Sequence, residues 1–252
     1  MAEKQQKSDR RAVADKMRKQ QRRGEKRRNV AIVGVCLLIA ILIVGAAAFQ
    51  PVSQWWNLRQ YEDASVADIG APADVCADVE TKPAEGNQQH VPQGTPLTYP
   101  DSPPAFGRHW ENWDGFDRKF YSESDRPELG MLVHNLEHGF TILWYDETVA
   151  DDSQQMEEIR AISEKFEGSE DLRNKFKAVP WTSEDGDPFP GDAHVAMTRW
   201  SAGNNPQAVE DGIIEEGAQT GVWQYCSEPS GAALDAFMTE FPYTDSPEPN
   251  AV

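Results

Sequence analysis

The chain of 252 residues carries a formal net charge of −18 at pH 7, and this charge is distributed very unevenly. Residues 1–29 contain 12 Lys and Arg against 4 Asp and Glu, a net of +8, whereas the rest contains 12 against 38, a net of −26. The basic stretch has no aromatic residue and no nucleic-acid-binding motif, so we expect no nucleic-acid partner. The acidic part is long enough to bury one sizeable core.

An uncharged run of 20 residues, 30–49, separates these two parts. As an α-helix rising about 1.5 Å per residue, it spans the roughly 30 Å hydrocarbon core of a bilayer. Because Lys and Arg are retained on the cytoplasmic side, the sequence predicts a single-pass cell-membrane protein with a cytoplasmic tail, 1–29, that adheres to membrane lipids. The alternative is a cleaved signal peptide with small residues at 46–48, although the apolar region of such peptides is only about 7 to 15 residues long.

The acidic part is predicted to be one extracytoplasmic α+β domain at 76–242, preceded by a juxtamembrane linker at 50–75 and followed by a flexible tail at 243–252. Prolines and aromatic residues at 90–121 predict an ordered loop over the core. The predicted regular elements are a strand at 140–145, a helix at 151–166, strands at 175–181 and 194–200, and helices at 206–217 and 231–241. They imply a small mixed sheet with flanking helices.

Two of the three cysteines are predicted to form a disulfide. Cys36 lies within the predicted transmembrane helix, which leaves Cys76 and Cys226 as a pair in the extracytoplasmic part. Oxidising compartments favour such pairing, and on the chain-entropy model this bond stabilises the fold by roughly 4 to 5 kcal/mol. The alternative is that Cys76 ligates a soft metal ion near His90.

The most informative motif is residues 134–139, which read His-Asn-Leu-Glu-His-Gly. In a helix, the side chains of His134 and His138 project from the same face, one turn apart, and can bind one metal ion. The motif also matches H-x-x-E-H, the zinc-binding pattern of a class of proteases in which the glutamate acts as a base on metal-bound water. Because Gly139 and a strand-forming run follow at once, we expect at most one helical turn here, which disfavours a metal-dependent hydrolase.

Four of the five histidines fall within 49 residues, which favours a metal site. The predicted ligands of a copper or zinc ion are His90, His109, His134 and His138, with Glu137 beside them. The alternative is structural: the histidines cap turns or fill the core, and Glu137 pairs with Arg108 or Arg126. His194 is expected to be an ordinary strand residue.

Several short motifs carry a resemblance to a known family. They are His90-Val91, Tyr99-Pro100, Pro103-Pro104-Ala105-Phe106-Gly107-Arg108-His109-Trp110 and Leu132-Val133-His134-Asn135-Leu136-Glu137-His138-Gly139. Over about residues 76–200 the chain resembles a family of bacterial membrane-anchored proteins, frequent in actinobacteria, the domain of unknown function numbered 3105. A common form has Ser before the glycine where this chain has Phe106, a departure that leaves His109 in place. The resemblance implies that His109, His134, Glu137 and His138 belong to one site.

These observations support two main hypotheses. The first is a membrane-anchored accessory protein whose extracytoplasmic domain binds copper or zinc, for example to deliver copper to an oxidase. The second is a structural accessory subunit, without metal, of a membrane protein complex such as an actinobacterial respiratory supercomplex, which the anchor and the acidic surface favour. A metal-dependent hydrolase remains a third alternative.

Overall fold

The fold is that of a computed structural model, which describes residues 2–84 and 88–251. The chain divides into two compact units, one ending at Trp56 and the other beginning at Asn57. The first unit is helical throughout its described residues and belongs to α1, Ala2–Leu58. The second unit is a mixed α+β domain, as the sequence predicts.

Helix α1 contains a stretch that is long and apolar enough to cross a membrane. Its large apolar side chains between Val30 and Val44 are exposed, so this unit gives them no protein core to pack against. No other helix in the described ranges meets the same length and composition criteria. A helix of this length and composition can be a membrane anchor or a signal sequence.

The second unit is built on a five-stranded mixed sheet with strand order β1-β7-β6-β4-β5. The strands are β1 Glu80–Pro83, β4 Thr141–Tyr145, β5 Phe176–Pro180, β6 Val195–Ser201 and β7 Thr220–Cys226. Strands β4 and β5 run parallel, and the other three pairings are antiparallel. A separate two-stranded parallel ribbon joins β2 His90–Val91 to β3 His109–Trp110.

The sheet is covered on both faces, which explains the continuous apolar run in β4. Leu143 and Tyr145 of β4 belong to one core cluster, and Ile142 and Trp144 belong to the other. The helices are α2 Leu129–Glu137, α3 Glu147–Asp151, α4 Ser153–Glu164, α5 Pro206–Glu210 and α6 Gly231–Glu240. Helices α4 and α6 contribute to the first cluster, whereas α2 contributes to the second.

The predicted strands are present within a residue or two, and so are two of the predicted helices. Helix α4 begins after Asp152, whose carboxylate accepts hydrogen bonds from two backbone amides of the first turn. The predicted helix at 206–217 is wrong in length, because α5 ends at Glu210 and Gly212 follows with a positive φ of 74°. The structure also contains strands β1 and β7 and the short helix α3, which the sequence does not predict.

Both stretches that the sequence places outside the domain contribute to its packing. Ile69, in the predicted linker, is 1% exposed and belongs to the first core cluster. Asp245, in the predicted tail, is buried and accepts a hydrogen bond of 2.7 Å from Ser201 Oγ. The domain therefore draws on residues before 76 and after 242.

Cys76 and Cys226 lie at disulfide distance, with 2.05 Å between their sulfur atoms. They are 150 residues apart in sequence. The pair joins the segment before β1 to the last residue of β7, so the bond fixes the entry of the chain to the sheet. Cys76 is therefore not available as a ligand near His90.

Candidate metal site

The His-Asn-Leu-Glu-His-Gly motif lies at the C-terminal end of α2. This helix has nine residues, so the expectation of at most one helical turn is wrong. Leu132, Val133 and Leu136 bury one side of α2 in the second core cluster, which stabilises helix up to the motif itself. The helix then stops because Gly139 adopts a φ of +86°, where a Cβ would lie 2.7 Å from both Tyr243 O and Ser246 Oγ.

The Pro-rich loop brings two further histidines to α2. In the β2–β3 ribbon, His90 is directly paired with His109, and their ring centroids are 4.6 Å apart. Phe106 anchors the loop by packing edge-on against Trp200 and Trp223. Gly221 makes room for this ring, since a Cβ there would lie 2.4 Å from Phe106 Cδ1.

The structure brings together four of the five predicted ligands. The ligand atoms of His90, His109, His134 and Glu137 all lie within 4.8 Å of one another. Glu137 Oε2 lies 2.9 Å from Nε2 of His109, 3.4 Å from Nε2 of His90 and 3.9 Å from Nε2 of His134. All but His90 are buried. We call this set of four residues the first cluster.

Backbone carbonyls hold two of the rings in one orientation. Nδ1 of His109 lies 2.7 Å from Gly107 O, and Nδ1 of His134 lies 2.7 Å from Trp110 O. A carbonyl oxygen only accepts hydrogen bonds, so each Nδ1 must carry the proton. In a neutral ring, Nε2 then presents a lone pair towards Glu137. Bonds of this kind, from the far nitrogen to a carbonyl, are the usual support of metal-binding histidines.

The centre of the first cluster contains more acceptors than hydrogen-bond donors. His90 Nε2 lies 3.4 Å from His134 Nε2. Burial raises the pKa of Glu137, but hydrogen bonds from His109 and Gln88 and the charge of His109 help to lower it. Nevertheless, Nε2 of His109 and both carboxylate oxygens of Glu137 are buried without a hydrogen bond of normal geometry, although Nε2 and Oε2 approach to 2.9 Å. Two acceptors at this distance repel each other unless a cation lies between them. A metal ion would satisfy Nε2 of His109 and Oε2 of Glu137 together with the nearby imidazole nitrogens, whereas a proton would satisfy only one pair of atoms.

The spacing of these atoms suits a small ion. A tetrahedral site with bonds of about 2.0 to 2.1 Å places neighbouring ligand atoms roughly 3.3 Å apart. The distances from Glu137 Oε2 to the three imidazole nitrogens range from 2.9 to 3.9 Å, and Nε2 of His90 lies 3.4 Å from Nε2 of His134. Three imidazoles and one carboxylate form a donor set that zinc and copper both accept.

His138, the fifth predicted ligand, lies beside the first cluster but outside it. It follows the last residue of α2, and its ring packs edge-on against His134 with centroids 4.4 Å apart. Its Nε2 lies 3.6 Å from Oε2 of Glu248, a residue that sequence reasoning missed because no local pattern connects it to the motif. Glu137, His138 and Glu248 form a second group of potential ligands.

This arrangement differs from both alternatives drawn from the motif. In the protease pattern the two histidines hold one ion and the glutamate acts as a base, whereas here Glu137 lies in the first cluster and His138 does not. In the structural alternative Glu137 pairs with an arginine, but Arg126 pairs with Asp185 instead. His194, expected to be a strand residue, lies one position before β6, and its Nδ1 is 2.7 Å from Asp146 Oδ2.

Burial keeps His134 and His138 neutral. It lowers the pKa of His134 to about 4, helped by the charges of His109 and His90 and opposed by the Trp110 carbonyl and Glu137. It also lowers the pKa of His138 to about 3, with His134, His109 and Lys175 acting in the same direction and Glu137 against it. Neutral imidazoles are the form that binds metal.

The metal-free protein is therefore expected to lose stability as the pH falls from about 6.5 to about 4. The folded state keeps His134 and His138 neutral over this range, whereas the unfolded chain protonates them near pH 6.5. Unfolding then takes up protons, so its free energy decreases with decreasing pH. Urea unfolding across this range measures the slope, which His138→Asn should make shallower. Equal slopes in the wild type and the variant would contradict the prediction.

The fold and site together define an α+β domain with a buried His/Glu cluster that can hold a metal ion. Residues 90–251, more than half of the chain, match the family described as "Protein of unknown function (DUF3105)". The chain belongs to this family, as the motifs in the sequence suggest. No curated protein and no solved structure matches the chain.

Proposed function

We propose that this protein is a single-pass membrane-anchored accessory protein whose extracytoplasmic domain binds one copper or zinc ion in the first cluster. The observation that carries the proposal is the convergence of three imidazole nitrogens on Oε2 of a buried carboxylate that makes no hydrogen bond of normal geometry. Leaving such a carboxylate and such lone pairs uncompensated is costly, and a bound divalent cation removes that cost.

The exposure of the four residues supports a site that exchanges its ion. His109, His134 and Glu137 are at most 3% exposed in their side chains, whereas the side chain of His90 is 39% exposed. A donor at the surface gives the ion a path in and out, while the buried donors supply affinity. This combination suits an accessory protein that takes up or passes on metal better than a purely structural zinc site.

The location proposed for this domain depends on α1. Twelve basic residues precede its uncharged stretch, which favours a cytoplasmic N-terminus and an extracytoplasmic domain. Trp55 and Trp56, both more than half exposed, are suited to the headgroup region beyond that stretch. A protease-protection assay on membrane vesicles tests this topology, since the domain should be accessible only from the outer side.

Metal analysis of the full chain, purified in detergent, tests the binding proposal. After incubation with Zn²⁺ or Cu²⁺ and gel filtration, the wild type should retain metal. His109→Ala and His134→Ala should each reduce retention at least tenfold, because each removes a direct ligand. His194→Ala is the matched control, since His194 lies in neither group of ligands. Equally low metal content in the wild type and both variants would overturn the proposal and favour the structural accessory subunit.

A further inference from the structure

The second group of potential ligands, Glu137, His138 and Glu248, has a geometry of its own. Its ligand atoms also lie within 4.8 Å of one another, and it shares only Glu137 with the first cluster. Glu137 and His138 are buried, with whole-residue exposures of 0% and 1%, and Glu248 lies at the surface. The group therefore consists of two carboxylates and one imidazole, open to solvent on the side of Glu248.

The position of Glu248 is fixed by its backbone. Its amide donates a hydrogen bond of 3.0 Å to Glu137 O, which ties this residue to the last turn of α2. Lys175 Nζ, fully buried, donates to three carbonyl oxygens: His138 O at 2.7 Å, Pro249 O at 2.8 Å and Ala251 O at 2.6 Å. One ammonium group thus holds the residues after Glu248 against the residue that supplies the imidazole.

The atoms of this group that face one another are not joined by hydrogen bonds. Nε2 of His138 lies 3.6 Å from Oε2 of Glu248, beyond hydrogen-bond distance. Glu137 Oε1 is buried and makes no hydrogen bond of normal geometry. Trp113 packs against His138 in a T-shaped arrangement, with ring centroids 4.7 Å apart. A carboxylate has lone pairs on both oxygens, so each oxygen can bind a different cation.

We infer that Glu137 is a shared carboxylate that binds a second divalent cation together with His138 and Glu248. The inference rests on the proposed function, because the same carboxylate holds the ion of the first cluster. Two carboxylates and one imidazole make a more oxygen-rich set than the first cluster, so the second ion belongs to the zinc or manganese class rather than to soft copper(I). With only three protein ligands, this ion keeps a coordination position open to water or to a small anionic ligand.

Counting bound ions tests the inference. Full-length protein in detergent is titrated with Zn²⁺ by calorimetry, and the zinc retained after gel filtration is measured by mass spectrometry. The wild type should bind two ions in steps of different affinity. Glu248→Gln should bind one ion fewer and keep the affinity of the first step within about threefold. This substitution is suited to the test because the side chain of Glu248 is 46% exposed and its backbone makes the packing contact.

A matched control and a second variant make the outcomes distinct. Glu184→Gln removes an exposed carboxylate outside both groups and should behave as the wild type. His138→Asn should also lose one ion, so that the result does not depend on Glu248 alone. If the wild type binds a single ion, or if Glu248→Gln and His138→Asn both bind as many ions as the wild type, the second site is overturned and the first remains. If the wild type binds none, the proposed function fails as well.

Discussion

Replacing Glu137 by glutamine is expected to weaken metal binding at both groups of ligands by at least about 100-fold. Loss of a residue that only supports a ligand already costs about 10- to 100-fold in affinity, and Glu137 is a potential direct ligand in both groups. The amide keeps the shape of the side chain but removes the charge that attracts the cation. Calorimetric titration with Zn²⁺ measures the effect.

The same variant should be somewhat less stable than the wild type in the absence of metal. Burial raises the pKa of Glu137, but the hydrogen bonds of His109 and Gln88 and the charges of His109 and His90 lower it by more, so the folded protein favours the ionised carboxylate. A neutral side chain of equal size loses this stabilisation near neutral pH. Urea unfolding in the presence of a chelator measures the difference. Unchanged zinc affinity in a variant that remains folded would contradict the assignment of Glu137 as a ligand.

Replacing both Cys76 and Cys226 by serine is expected to lower the free energy of unfolding by about 4 to 5 kcal/mol. The bond closes a loop with a sequence separation of 150, and the entropy that a crosslink removes from the unfolded chain increases with loop length. Urea unfolding of the full chain in detergent, followed by tryptophan fluorescence, measures this difference.

Cys36→Ser is the control for the disulfide, because Cys36 is an exposed free cysteine within α1 and belongs to the other unit of the chain. It should leave the unfolding curve of the second unit unchanged. A decrease of less than about 1 kcal/mol in the double variant would show that the bond does not act through the unfolded chain as the entropy model requires.

The sequence predicts the composition of the first cluster better than its geometry. His134 and Glu137 are three residues apart in a helix, so their proximity follows from helical spacing alone. His90 and His109 reach them only through the β2–β3 ribbon and through Phe106 packing on two tryptophans. Those contacts are tertiary, and no local periodicity indicates them.

For a related reason, the sequence does not predict that His138 lies outside the first cluster or that Glu248 approaches His138. Gly139 signals in the sequence that the helix ends, but not that His138 then falls outside the first cluster. Glu248 comes near His138 through the hydrogen bonds of a buried lysine to three carbonyl oxygens. Glu248 lies more than 100 positions from the motif, in a stretch that sequence patterns treat as an unrelated tail.

The acidic composition of the chain after residue 29, with a net charge of −26, has a kinetic consequence for these sites. A negative field raises the local concentration of cations around the domain and so increases the rate at which it captures them. Because dissolved salt screens this field beyond about 10 Å at 0.1 M, association should slow as ionic strength rises. Dissociation, which is governed by buried ligands, should change much less. Such a domain would collect dilute metal fastest in media of low salt.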